Sequence, residues 1–153
     1  MYLSPHFTLD EFTVSQTAAR DGIDNTPPPE VIENLRRTAM GLEGIRILLG
    51  VPVIVTSGYR SPALNAAIGG SKTSQHMTGE AADFVAPSYG PPRVVMDRIV
   101  DAGIDYDQCI LEFANRGGWV HISFSKQRRR QALIIDETGT RPYFACTAPF
   151  PPC

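Results

Sequence analysis

The chain has no apolar run near the ~18 residues that a membrane-spanning helix requires, so insertion into a bilayer is not expected. It lacks a surplus of basic charge as well. Net charge is −2 and the pI is near 5.9, which argues against a nucleic-acid binder that must displace counterions over a broad basic face. The one basic run, Lys126 to Arg130 (KQRRR), reads as a solvated turn after a strand. Cysteine is scarce, with three in 153 residues. That is too few for a disulfide framework, and the spacing matches no zinc ribbon or CxxC motif. Cys109 lies in the apolar run YDQCILEF and is expected to be a buried thiol, whereas Cys146 and Cys153 sit in a proline-rich tail where they are able to pair. The opening MYLSPHFTLDEF lacks the basic start and apolar centre of a secretory signal. Cytoplasmic synthesis without a signal peptide is therefore expected, and work outside the cell would need another means of delivery.

What is present is a composition able to fold. Apolar residues make up 42% and charged residues 20%, which is globular, and the length suits one domain. No internal repeat is visible. Residues 8–20 predict a short helix with a capping box formed by Thr8 and Glu11. The loop DGIDNTPPP leads into a longer helix from about Pro28 to Leu49, with Ile32, Leu35, Ala39, Leu42 and Leu49 on its buried face. The β-branched run VPVIVTS (51–57) predicts a strand. SPALNAAIGG (61–70) predicts a short helix capped by Ser61 and ended by Gly69 and Gly70. A strand is expected near 81–85 and a helix from Pro91 to Gly103. The segments 108–113 and 118–124 form a hairpin around ANRG, and 131–136 a last strand. The partition is one domain over 1–138, head included, followed by an irregular Pro-rich tail over 139–153. The class is α+β, a small antiparallel sheet covered by helices on one side.

Three histidines are available: His6, His76 and His121. His6 precedes the first helix and reads as a surface or capping residue. His76 and Asp83 flank Gly79 in SQHMTGEAADF, where the chain can turn back and Ala81 and Ala82 leave room. Asp83 enters a strand that continues with Phe84 and Val85, so its carboxylate is costly to bury unless a positive charge meets it. A metal ion would do so, and a helix cap or surface acid is the plainer alternative. In WVHISF, alternation puts Val120 and Ile122 on one face, and Trp119, His121 and Ser123 on the other. With ANRG as the hairpin loop, Leu111 lies opposite Val120 and Cys109 opposite Ile122 on the core side. Glu112 lies opposite Trp119 and Ile110 opposite His121. Glu112 is then a diagonal neighbour of His121, at roughly 7–8 Å, where a hydrolytic base beside a metal belongs. A loop of odd length would send the two to opposite faces.

SQHMTGEAADF resembles the SxHxxGxAxD signature of zinc D,D-carboxypeptidases and L-alanyl-D-glutamate endopeptidases, which cut peptidoglycan stem peptides and share the hedgehog fold. Ser74, His76, Gly79, Ala81 and Asp83 match it. WVH (119–121) resembles that family's second histidine motif. SGYRSPALNAAIGG resembles the upstream segment carrying a substrate-binding arginine, and HFTLDEFTVSQTA resembles the helical head of the phage and prophage branch. The resemblance runs from about residue 3 to residue 125. It implies one Zn²⁺ held by His76, Asp83 and His121, and a carboxylate or carbonyl of the substrate engaged by Arg60, whose planar guanidinium bonds bidentately. It also implies that Ser74 orients the loop or touches substrate. Many relatives carry the catalytic acid three residues before the second histidine; that position is Gly118 here. Glu112 is the candidate base in its place, with Asp105 and Asp107 as weaker ones, and Glu80 stands where many relatives have a basic residue, which bears on substrate preference. Trp119 is either core or an apolar wall of the cleft.

The expected function is a zinc peptidase of peptidoglycan stem peptides, phage-encoded for cell-wall degradation, acting after release or as part of a virion, with other virion proteins as partners and neither nucleic acid nor membrane. Two other readings stay open. One is a non-catalytic module on the same scaffold, stabilised by zinc and serving in binding or virion structure. The other is a small α+β binding domain without metal.

Overall fold

The computed structural model describes residues 1–144; the proposed Cys146–Cys153 pair lies outside the described residues. A two-stranded ribbon of β1 (Tyr2–Ser4) and β2 (Phe7–Thr8) leads into α1 (Leu9–Thr13), α2 (Gln16–Asp21) and the long α3 (Pro29–Leu49). There follow β3 (Ile54–Ser57), α4 (Pro62–Ala67), β4 (Ala81–Val85), α5 (Pro92–Ala102), β5 (Gln108–Glu112), β6 (Trp119–Ser123), β7 (Gln131–Asp136) and β8 (Gly139–Pro142). The six strands that follow the ribbon form one sheet in the order β3-β4-β6-β5-β7-β8.

The single helix expected over 8–20 is two helices. Val14 is extended, and the Ser15 side chain accepts from the Ala18 amide at 3.2 Å, opening α2. A serine cap directly after a β-branched pair starts a new helix more readily than it continues an old one. At α1 the Glu11 carboxylate takes the Thr8 amide at 2.7 Å and its hydroxyl at 3.0 Å. On α3, Leu35, Ala39, Leu42 and Leu49 are buried as expected, but Ile32 is only half-buried, and Val31 and Ile45 complete the face. Glu43 is buried too. It accepts from the Ser4 hydroxyl at 2.7 Å and the His6 amide at 2.8 Å, with the His6 ring at 2.9 Å. His6 thus pins the ribbon to α3.

The sheet's core face carries Ala82, Phe84, Cys109, Leu111, Val120 and Ile122, packed with α3 and α5. Burial raises the Cys109 thiol far above its ordinary value, so it behaves as an apolar side chain. The α+β class holds, and the register of β5 with β6 is the one that the ANRG loop predicts, with Glu112 opposite Trp119 and Ile110 opposite His121.

Two features differ from the expected layout. β7 pairs with β5 in parallel, so the large sheet is mixed. Residues 139–142, expected as irregular tail, form β8 against β7. The Asp136 carboxylate organises that turn through the Thr138 amide and Arg141, and Tyr143 is buried beyond it with its hydroxyl on Asp97.

A parallel pair needs a crossover, and residues 124–130 make it. Their anchor is Asp107, which is 0% exposed. It accepts from Arg129 Nε at 2.8 Å, Arg129 Nη2 at 2.9 Å, the Arg129 amide at 2.9 Å, Ser125 Oγ at 2.8 Å and Gln75 Nε2 at 2.8 Å. The guanidinium holds the Asp107 carboxyl well below the usual carboxylate range. The KQRRR run is therefore more than a solvated turn, since Arg129 closes a buried network while its neighbours stay exposed. Asp107→Ala leaves these donors stranded, which destabilises by about 3 kcal/mol, the low end for a broken buried pair because Arg129 is partly solvated. A lower urea midpoint is the expected reading.

Candidate functional site

The face of the sheet opposite the core carries the chemistry. Asp83 on β4 lies directly opposite His121 on β6. Antiparallel partners project to the same side, so this register alone joins two candidate ligands. The third, His76, comes from the loop between α4 and β4. That loop is held by α3: Thr38 Oγ1 donates to the Gly79 carbonyl at 2.8 Å, and Asn34 Nδ2 to the Thr78 carbonyl at 2.8 Å. Gly79 has φ +77°, and a Cβ there would stand 2.8 Å from the Val31 carbonyl oxygen. Only glycine meets both demands.

The segment after β3 grips the same loop. The Arg60 amide donates to the His76 carbonyl at 3.1 Å. His76 Nδ1 lies 2.7 Å from the Gly58 carbonyl. A carbonyl only accepts, so this nitrogen carries the proton and Nε2 presents a lone pair. Nε2 faces His121 Nδ1 at 3.2 Å and Asp83 Oδ1 at 3.3 Å, while His121 Nδ1 is 2.9 Å from that same oxygen. The three side chains are 2%, 5% and 8% exposed for His76, Asp83 and His121. Their ligand atoms lie within 4.8 Å of one another. Two imidazoles and a carboxylate turning acceptor atoms on a common point suit a divalent cation, and the nitrogen and oxygen donors suit zinc. Burial pushes the Asp83 carboxyl up, but the two imidazoles outweigh it and hold it well below the usual carboxylate range. Arg60 adds positive charge, with Nη2 3.7 Å from Asp83 Oδ2.

Glu112 stands beside this group, Oε1 being 4.0 Å from His121 Nδ1. Burial, then the charge of Asp83, raise its carboxyl to about 7, with His121 and Arg60 opposing. A carboxyl titrating near neutrality in a cleft is suited to taking and returning a proton. Gly118, three residues before His121, has φ +55°, and a Cβ on it would lie 2.2 Å from the Glu112 carbonyl oxygen. This backbone admits no side chain at 118, and Glu112 on the adjacent strand occupies the neighbourhood instead. Asp105 is exposed and near Arg128, and Asp107 is committed to the crossover. Neither lines the cleft.

The cleft measures about 950 Å³ and is lined by Arg60, Ser74, His76, Glu112 and His121 among others. Ser74 Oγ accepts from the His76 amide at 3.3 Å, which shapes the loop, and the side chain also lines the cleft. Trp119 packs against Phe113, ring centroids 5.7 Å apart, and is absent from the cleft wall.

Two supporting asparagines escaped the sequence reading. Asn65 Oδ1 accepts from Arg60 Nη1 at 3.2 Å while its Nδ2 donates to the Ser71 carbonyl at 2.9 Å. Gly70 leaves room for it, since a Cβ there would meet Asn65 Oδ1 at 2.1 Å. Asn25 bridges the head to the segment carrying Arg60, donating to the Thr13 and Tyr59 carbonyls and accepting from the Ser61 amide. The only visible hint was a buried-face asparagine in α4, a residue that rarely sits inside without a partner.

A family model described as Peptidase M15 matches residues 5–123. No curated protein matches the chain.

Proposed function

The chain belongs to the Peptidase M15 family, and on that premise we propose that it is a zinc-dependent peptidase hydrolysing peptide bonds in peptidoglycan stem peptides. The observation that carries this reading is the convergence of His76, Asp83 and His121 on one point, with Glu112 4.0 Å from the second imidazole. A zinc ion held by those three side chains would supply the Lewis acidity that makes water nucleophilic near neutral pH and polarises the scissile carbonyl. Glu112 accepts a proton from the attacking water and delivers it to the departing amine. Arg60, braced by Asn65, holds a substrate carboxylate or carbonyl by charge-assisted hydrogen bonds. Ser74 keeps the His76 loop in shape at the cleft's edge. The phage-like head supports a role in cell-wall degradation, as a lysin or as a virion component.

Gly118 favours a second reading, a non-catalytic module that uses zinc for stability. Purified cell walls separate the two. The peptidase releases new amino termini, stops on addition of a chelator and resumes with zinc. A protein that loses thermal stability with chelator yet never releases peptide supports the second reading and ends the first.

A further inference from the structure

The mechanism leaves Gln75, the residue directly before His76, without a role. Its Nε2 donates to Asp107 Oδ2 at 2.8 Å, across 32 positions of sequence. Its own carbonyl accepts from the Thr78 hydroxyl at 3.0 Å and the Glu80 amide at 3.1 Å, which shapes the turn leading into β4. Asn34 and Thr38 hold the loop on the far side of His76, at Thr78 and Gly79. Gln75 holds it on the near side.

Asp107 does not need this bond to anchor the crossover. The Arg129 side chain, the Arg129 amide and the Ser125 hydroxyl already give it four hydrogen bonds, and a carboxylate has about four lone-pair sites. Gln75 comes as a fifth donor, at a cost to itself. A carboxylate only accepts, so the amide turns its NH₂ to Asp107. Oε1 is then left buried with no partner among the described residues, which is unfavourable. The gain falls on the loop instead. Asp107 also reaches the other half of the site. Its backbone amide donates to the carbonyl of Ser123, on β6 two residues past His121, at 2.8 Å. One residue thus ties the strand that carries His121 to the neighbour of His76, and the two imidazoles stand 3.2 Å apart.

We propose that Asp107 and Gln75 are positioning residues for the metal: Asp107, fixed by Arg129 and Ser125, holds Gln75 and through it sets the His76 ring against His121. The inference rests on the reading of His76, Asp83 and His121 as a zinc site. It makes the crossover, which lies beyond the residues that the family model matches, a support of the metal centre.

Gln75→Met is the first test, since the side chain keeps its length and loses both polar ends while Asp107 keeps its other donors. Zinc affinity is measured by competition with a chromophoric chelator, and Co²⁺ in place of zinc reads the ligand geometry through its visible absorption. The zinc Kd is expected to rise about tenfold, the low end for losing a group that orients a ligand. The cobalt bands shift, and the urea midpoint of the metal-free protein falls no lower than the parent's. Asp107→Asn is expected to weaken zinc binding too, and the double variant binds no worse than Asp107→Asn alone, because both changes break one chain of contacts. An unchanged Kd and cobalt spectrum in Gln75→Met, or losses that add in the double variant, overturn the proposal. The parent's zinc content separates this failure from that of the site. A parent that takes up no zinc ends the zinc reading and the support together, whereas a zinc-binding parent matched by Gln75→Met ends the support alone.

Discussion

Glu112→Gln is expected to keep zinc bound and to lower kcat by about 10²- to 10⁴-fold, the usual worth of a positioned acid–base group. The amide matches the carboxylate in size and leaves His76, Asp83 and His121 in place, so the loss falls on kcat while KM changes little. The pH profile carries an independent signature. Burial places the Glu112 carboxyl at about 7 in the metal-free protein, and a bound cation pulls it lower. The unsubstituted enzyme therefore loses kcat/KM on the acid side, below about 7, as the base becomes protonated. Stability responds with the opposite sign. The folded metal-free protein holds a proton on Glu112 that the unfolded chain releases at ordinary carboxylate pH. The stability linked to that proton is complete below the ordinary value and is lost as pH rises through about 7. Glutamine does not titrate, so metal-free Glu112→Gln should gain in urea midpoint over the parent at about pH 8 and not at about pH 4. Full turnover by the Gln variant would hand the base's role to another group.

His121→Ala is expected to weaken zinc binding by more than about 100-fold, beyond the loss usual for groups that merely orient ligands, and to abolish turnover. The imidazole lies opposite Asp83 across the β4–β6 ladder. Its removal leaves one imidazole and one carboxylate, too few for a structural or catalytic zinc site. Burial then turns against Asp83, which keeps only His76 at 3.3 Å and Arg60 at 3.7 Å. Its carboxyl should titrate higher than in the parent protein. Equilibrium dialysis against a zinc buffer reads the first effect, and carboxyl chemical shifts of the metal-free protein read the second. A variant that retains stoichiometric zinc would place the metal elsewhere.

The features legible in advance were those that depend on short spans of chain. Gly79 marks a turn, and Ala81 and Ala82 mark a strand entering a tight place. The ANRG loop has a parity that puts Glu112 and His121 on one face, and the β5–β6 register follows it. Helix boundaries set by Pro28, Pro91 and Gly103 came through as well. The break at Val14 and Ser15 was missed because the Thr8–Glu11 capping box marks only where the first helix begins, and the serine cap alone decides where the second one does.

The sequence by itself determined which side chains can ligate, the family signature they spell, and the local register that pairs a carboxylate with an imidazole. Tertiary structure alone decided the parallel pairing of β7, the burial of Asp107 under the crossover, the Gly58 carbonyl that sets the His76 tautomer, and the low-dielectric surroundings that lift Glu112. The reason is sequence separation. Turn chemistry and alternation act over a few residues and are written in residue type, whereas burial and long-range hydrogen bonds depend on which distant segments meet, and no local pattern encodes that.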